Sequence, residues 1–157
     1  MARLLSAWRA TGRPVFHVQH LSVLPHSPLR PGQPGCELKE IVTPRPGEPI
    51  FQKHVNSAFI GTTLEQTLRE RRYDTLVIVG LTTPHCVSTT ARMAGNLGFT
   101  TYLVSDATAA FAITGPDGRH YAAEEIHAVS LATLHEEFAT VLATDVLLEG
   151  MGKAAQP

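Results

Sequence analysis

Residues 75–98 read TLVIVGLTTPHCVSTTARMAGNLG. Thr75–Val79 is a strand-sized run of β-branched and apolar side chains, with Asp74 before it and Gly80 after it. The turn Leu81–His85 follows. A helix is expected from Cys86 to Leu97, where Gly98 stops it. The strand is continuously apolar rather than alternating. That pattern predicts burial on both faces, as in a parallel sheet covered by helices.

The same alternation of strand and helix extends in both directions. Leu4, Leu5 and Trp8 set a helical stripe over residues 2–11, ended by Gly12 and Pro14, and Val15–Gln19 reads as a strand. Residues 21–48 hold most of the prolines and form a long loop of the kind that carries function. Strand signals resume at Pro49–Gln52. Thr62-x-x-Glu65 has capping-box spacing and opens a helix to about Arg72. Downstream, Thr100–Val104 reads as a strand, and Gly115, Pro116 and Gly118 mark a loop. A helix from Ala122 to Glu136, a strand at Ala139–Leu142 and a short helix at Thr144–Leu148 complete the set. The fold class is therefore α/β: a doubly wound, three-layer, Rossmann-like parallel sheet with helices on both faces. One domain is expected over 1–150, followed by a flexible tail at 151–157.

Bulk properties narrow the function. The chain has 157 residues, of which 43% are hydrophobic and 17% charged, enough apolar content for a core. With 13 basic and 14 acidic residues the net charge is −1, which gives nucleic acid or an anionic membrane no electrostatic handle. No apolar run reaches the roughly 20 residues of a membrane span. The N-terminus lacks the pattern of a signal peptide. Two cysteines, Cys36 and Cys86, are too few for a disulfide framework, so free thiols in a cytoplasmic protein are expected.

In α/β sheets, ligands gather beyond the carboxyl ends of the strands. Cys86 falls there. At a helix start a thiol feels the positive end of the helix dipole, and first-turn N–H groups can receive a developing oxyanion. By position alone, Cys86 reads equally as a nucleophile or as a buried structural cysteine.

The segment V-x-G-L-T-T-x-x-C-V-x-x-T-A-R resembles the nucleophile turn of the isochorismatase-like cysteine hydrolases, which include nicotinamidases and carbamoylsarcosine-type amidases. Ala10–His20, Ser27–Gly35, Pro49–Phe59 and Val104–Ala110 match the same superfamily in the same order. The resemblance implies Cys86 as nucleophile and Lys53 as the cation that lowers its pKa. It also implies a cis peptide at Leu81–Thr82, which directs the backbone N–H of Thr82 to the same point as that of Cys86 to form the oxyanion hole. The superfamily often has Asp where this chain has Pro84.

The resemblance further implies a first strand ending in an Asp that accepts the cysteine proton. The segment matching Met1 lies after that strand, so the sheet of the chain as given is expected to lack it and to be poorly stable. The favoured expectation is N-terminal truncation of a longer protein that has the strand and the Asp; the competing one is a chain that exists as given and is impaired. Nicotinamidases carry a metal site of Asp and His after the second strand. Here that stretch has His17, His20 and His26 without Asp, and His17 and His20 alternate to opposite faces of a strand. No metal and no organic cofactor are expected. His54 is expected to be structural, and His85, next to Cys86, diverges from it at a helix start.

The expected reaction is hydrolysis of a small amide, imide or ureide through a thioester, with His20, Asn56, Phe59 and Phe111 shaping the pocket. The alternative is an inactive α/β relative that binds a small molecule or serves as an oligomerisation domain. A homodimer or homotetramer is expected by resemblance.

Overall fold

The computed structural model describes residues 1–153, with the side chain of Lys153 excluded. The expected tail therefore falls partly outside the described residues. The chain divides into two compact units, residues 1–72 and the chain from Tyr73 onward, where the sequence reading has one domain.

The first unit contains α1 (Ala2–Ala10), β1 (His17–His20), β2 (Ile50–Lys53) and α2 (Leu64–Glu70), with 3-10 turns at Pro34–Cys36 and Glu40–Val42. Leu4 carries the buried face of α1. Thr11 ends that helix by donating its Oγ1 hydrogen to Trp8 O at 2.8 Å. β1 and β2 pair in parallel, with His17 opposite Ile50 and His20 opposite Lys53. β1 begins two residues later than its apolar run suggests. The capping box at Thr62 does not form: Thr62 Oγ1 instead donates to Ala58 O at 2.6 Å and accepts from Leu64 N at 3.2 Å. The N-cap is Thr63, one residue later and without a side-chain cap bond, and α2 starts at Leu64.

The long loop is tied back by Glu48. Its carboxylate accepts two hydrogen bonds of 2.7 Å from the Arg9 guanidinium, one of 2.9 Å from Arg45 N, and pairs with His17 Nε2 at 2.8 Å. The Arg9 hydrogen bond, reinforced by those of Arg45 and His17, outweighs burial and holds the Glu48 carboxyl far below its usual range.

The second unit is a parallel sheet in the order β3-β4-β7, comprising Thr75–Leu81, Thr100–Ala109 and Thr140–Leu142. A π-helical turn at Thr83–Val87 runs into α3 (Ser88–Asn96). β5 (Ile113–Thr114) and β6 (His120–Tyr121) form a small hairpin where the sequence reads as loop. α4 (Ala123–Ala132) and α5 (Thr144–Lys153) complete the unit.

Three expectations change here. β3 is the edge strand of this sheet and is only half-buried, with Val79 36% and Leu81 56% exposed. The central strand, β4, is the more deeply buried, with Leu103 and Val104 wholly inaccessible. α4 stops at Ala132, short of Glu136, because the chain turns there: Leu134 enters the core and Glu136 takes a positive φ of 67°. α5 continues past Leu148 to Lys153, and Met151 is buried, so residues 151–153 are helical.

The core of this unit joins Val87 and Ala91 to Leu103, Leu134 and Ala139, with Ile78, Leu131, Phe138 and Val141 packed against it. α3 approaches closely because its inner face is small. Ala91 and Ala94 are fully buried, and a Cβ at Gly95 would lie 3.0 Å from Phe138 O.

Candidate active site

β3 delivers the nucleophile turn. Its ladder with β4 slips between Ile78, opposite Leu103, and Gly80, opposite Thr108. Gly80 has a φ of 133°, a conformation that disfavours any side chain. The Leu81–Thr82 peptide that follows is cis. Thr82 O then accepts from His85 N at 3.2 Å and from Val87 N at 3.3 Å, the second bond giving the turn its π width.

Helical structure thus begins at Thr83, not at Cys86 as the sequence suggests. Cys86 sits within the opening turn and not at its first residue. It remains in the region where the helix dipole is felt. Cys86 is in no disulfide and is partly exposed; Cys36 is in none either and is buried.

Thr83 is fully buried and shares a 2.8 Å hydrogen bond between its Oγ1 and His127 Nδ1. His127 lies on α4, 44 residues along the chain. No local pattern announces it. His85 is exposed. Phe111 follows β4 and is 71% exposed.

Lys53, His20, Asn56 and Phe59 belong to the first unit, whereas Leu81, Thr82, Cys86 and Phe111 belong to the second. Within the first unit, Lys53 is 3% exposed. An ammonium has three N–H groups. Lys53 Nζ meets Val55 O at 2.9 Å, Asn56 O at 2.9 Å and His20 Nδ1 at 3.2 Å. Asn56 therefore serves Lys53 through its backbone carbonyl, and its side chain is exposed. Phe59 is half-buried, and its N–H donates to Ser57 Oγ at 3.2 Å. His54 donates its Nδ1 hydrogen to Leu21 O at 2.8 Å.

His17 and His20 separate as strand alternation requires, one turning to Glu48 and the other to Lys53. Among the described residues no cluster of His, Cys, Asp or Glu is arranged to hold a metal ion. Asp106, which lies inside β4, accepts from Thr144 N at 2.8 Å and from Thr144 Oγ1 at 2.7 Å, anchoring the start of α5. Burial pushes its carboxyl up, and these bonds more than offset that, leaving it below its ordinary value.

Chemically, the second unit presents a thiol in the opening turn of a helix, and the first presents a buried, fixed ammonium. A family model described as the isochorismatase domain matches residues 1–146. The isochorismatase family protein YrdC of Bacillus subtilis is 54% identical over 148 residues, 94% of this chain and 79% of that protein. A crystal structure of an isochorismatase-family protein from Chromobacterium violaceum superposes with a TM-score of 0.92 at 47% identity, covering 97% of this chain and 79% of the other. That of a cysteine hydrolase from Pseudomonas syringae pv. phaseolicola gives 0.87 at 26% identity, with coverage of 97% and 78%. N-carbamoylsarcosine amidase from an Arthrobacter species is 31% identical over 114 residues, 62% of this chain and 43% of that enzyme. With a match running from Met1 through both units to residue 146, the chain belongs to the isochorismatase family.

Proposed function

We propose that this protein hydrolyses a small amide, imide or ureide through a covalent thioester on Cys86. The observation that carries the reading is a partly exposed cysteine in the opening turn of a helix at the carboxyl end of β3, in a chain of a family with amidohydrolase members. The Cys86 thiolate attacks the substrate carbonyl carbon, the C–N bond breaks, and the amine or ammonia leaves with a proton. Water then cleaves the thioester and restores the thiol. The backbone N–H groups of Thr82 and Cys86 receive the oxyanion. Lys53 contributes positive charge that favours the thiolate. His20, Asn56, Phe59 and Phe111 border the substrate. The protein acts as a homodimer or homotetramer in the cytoplasm. Among the described residues no helix is long and apolar enough to cross a membrane.

Ammonia release from a panel of small carboxamides and ureides, N-carbamoylsarcosine included, tests this reading. Turnover that disappears in Cys86→Ser, with an acyl adduct trapped on Cys86 of the wild type, is the expected result. Turnover that survives Cys86→Ala would refute it. Alkylation of Cys86 by iodoacetamide near neutral pH, slowed in Lys53→Ala, tests the role of the cation separately.

A further inference from the structure

Lys53 is a buried cation, and two of its hydrogen-bond acceptors are the backbone carbonyls of Val55 and Asn56, which cannot change state. Its partner His20 can. His20 and Lys53 are register partners on the parallel strands β1 and β2, so their side chains leave the sheet on the same face, and Nζ lies 3.2 Å from Nδ1. An ammonium only donates, so His20 Nδ1 must be the bare, accepting nitrogen and the imidazole must be neutral. A protonated His20 would offer no lone pair and would set a second positive charge against Lys53.

We propose that His20 is a positioning residue for Lys53: its neutral imidazole holds one ammonium N–H, and its protonation releases that N–H. This deepens, and rests on, the reading of Lys53 as the cation that serves Cys86. It changes the part assigned to His20 from bordering the substrate to holding the charge in place.

The surroundings support a neutral imidazole. Burial first, then the Lys53 charge and that of His54, hold His20 below the ordinary histidine value. Lys53 and His54 face it from β2 and the residue after it, and Cys36 sends Sγ to the His20 carbonyl oxygen at 3.8 Å from the turn at 34–36. The carboxylate of Glu48 engages His17 on the opposite face of β1.

The expected consequence is an acid limit on Cys86 reactivity set by His20 and not by the thiol alone. Three variants separate the effects. His20→Asn keeps an acceptor near the Nδ1 position but cannot titrate. His20→Ala removes the acceptor. Lys53→Met removes the donor.

The first measurement is nitrogen NMR of His20 in the wild-type chain, which needs neither turnover nor Cys86. Nδ1 should carry the shift of an unprotonated nitrogen at neutral pH, and the titration midpoint should rise in Lys53→Met. A protonated Nδ1 at neutral pH, or a midpoint unmoved in Lys53→Met, would overturn the proposal.

The second measurement is the rate of Cys86 alkylation by iodoacetamide across the acid range. His20→Ala should be slower than wild type at neutral pH by about threefold or more, and His20→Asn should restore the rate while losing the His20-dependent acid limb. An acid limb unchanged in His20→Asn would overturn the proposal. If Lys53→Met leaves alkylation unaltered while the NMR result holds, the catalytic role of Lys53 fails and the pairing with His20 stands.

Discussion

Replacing Thr83 with valine removes one hydroxyl from the turn that carries Cys86 and keeps the side-chain shape. Thr83 is fully buried, and its 2.8 Å bond to His127 Nδ1 ties the turn to α4. A hydrogen bond of this kind contributes about 0.5–1.5 kcal/mol net, and leaving a half-buried imidazole nitrogen without it adds part of a desolvation penalty. The expected loss is about 1–2 kcal/mol, or roughly 2–8 °C in Tm for a chain of this size. Urea unfolding of wild type, Thr83→Val, His127→Ala and the double variant isolates the pair. A coupling energy of about 1 kcal/mol is expected, and Thr83→Ser should recover most of the loss. Because Cys86 lies three residues further along the same turn, Thr83→Val should also alter its alkylation rate, whereas a core truncation of equal cost should not. Additive single variants, within about 0.3 kcal/mol, would show that the bond does not hold the turn, and the reasoning would fail.

Other outcomes follow from the same structure. Leu134 is fully buried against Val87, Ala91, Leu103 and Ala139, so Leu134→Ala should cost about 2–5 kcal/mol by urea unfolding. Glu48 is held ionised in the folded chain, so its contribution is present above the ordinary carboxylate value of 4.5 and is lost as pH falls below it. Unfolding midpoints measured from about pH 7 down to pH 3 should therefore drop more steeply in wild type than in Glu48→Gln. Gly95→Val should destabilise the second unit, because a Cβ there meets the Phe138 carbonyl at 3.0 Å and a branched side chain adds to that clash. Light scattering on the purified chain should give the mass of a dimer or tetramer, and a monomer at all concentrations would exclude both.

The turn that carries Cys86 was largely legible locally. The strand, turn and helix over residues 75–98 follow from period and punctuation, and a cysteine at the end of a strand is a readable signal. The helix start was misplaced by three residues. The turn is closed by bonds from Thr82 O to His85 N and Val87 N, and such π-width closure leaves no mark in residue type. The burial of β3 was overstated because an apolar run does not reveal whether its strand lies at the centre of a sheet or at its edge. In this unit β4 takes the centre and β3 the edge. The capping box at Thr62 failed because its spacing fits equally well a hydroxyl bonded to the turn before it.

By itself the sequence determined most of the strand and helix segments and the parallel character of their pairing. These depend on interactions within a few residues, and the chain order records them. Only the tertiary structure decided who meets whom over distance: His20 with Lys53, Thr83 with His127, Glu48 with Arg9 and His17, Asp106 with Thr144. Each of those partners lies 31 to 44 residues away. Strand register and helix packing fix such pairings, and neither leaves a periodic trace in the residues that happen to face each other.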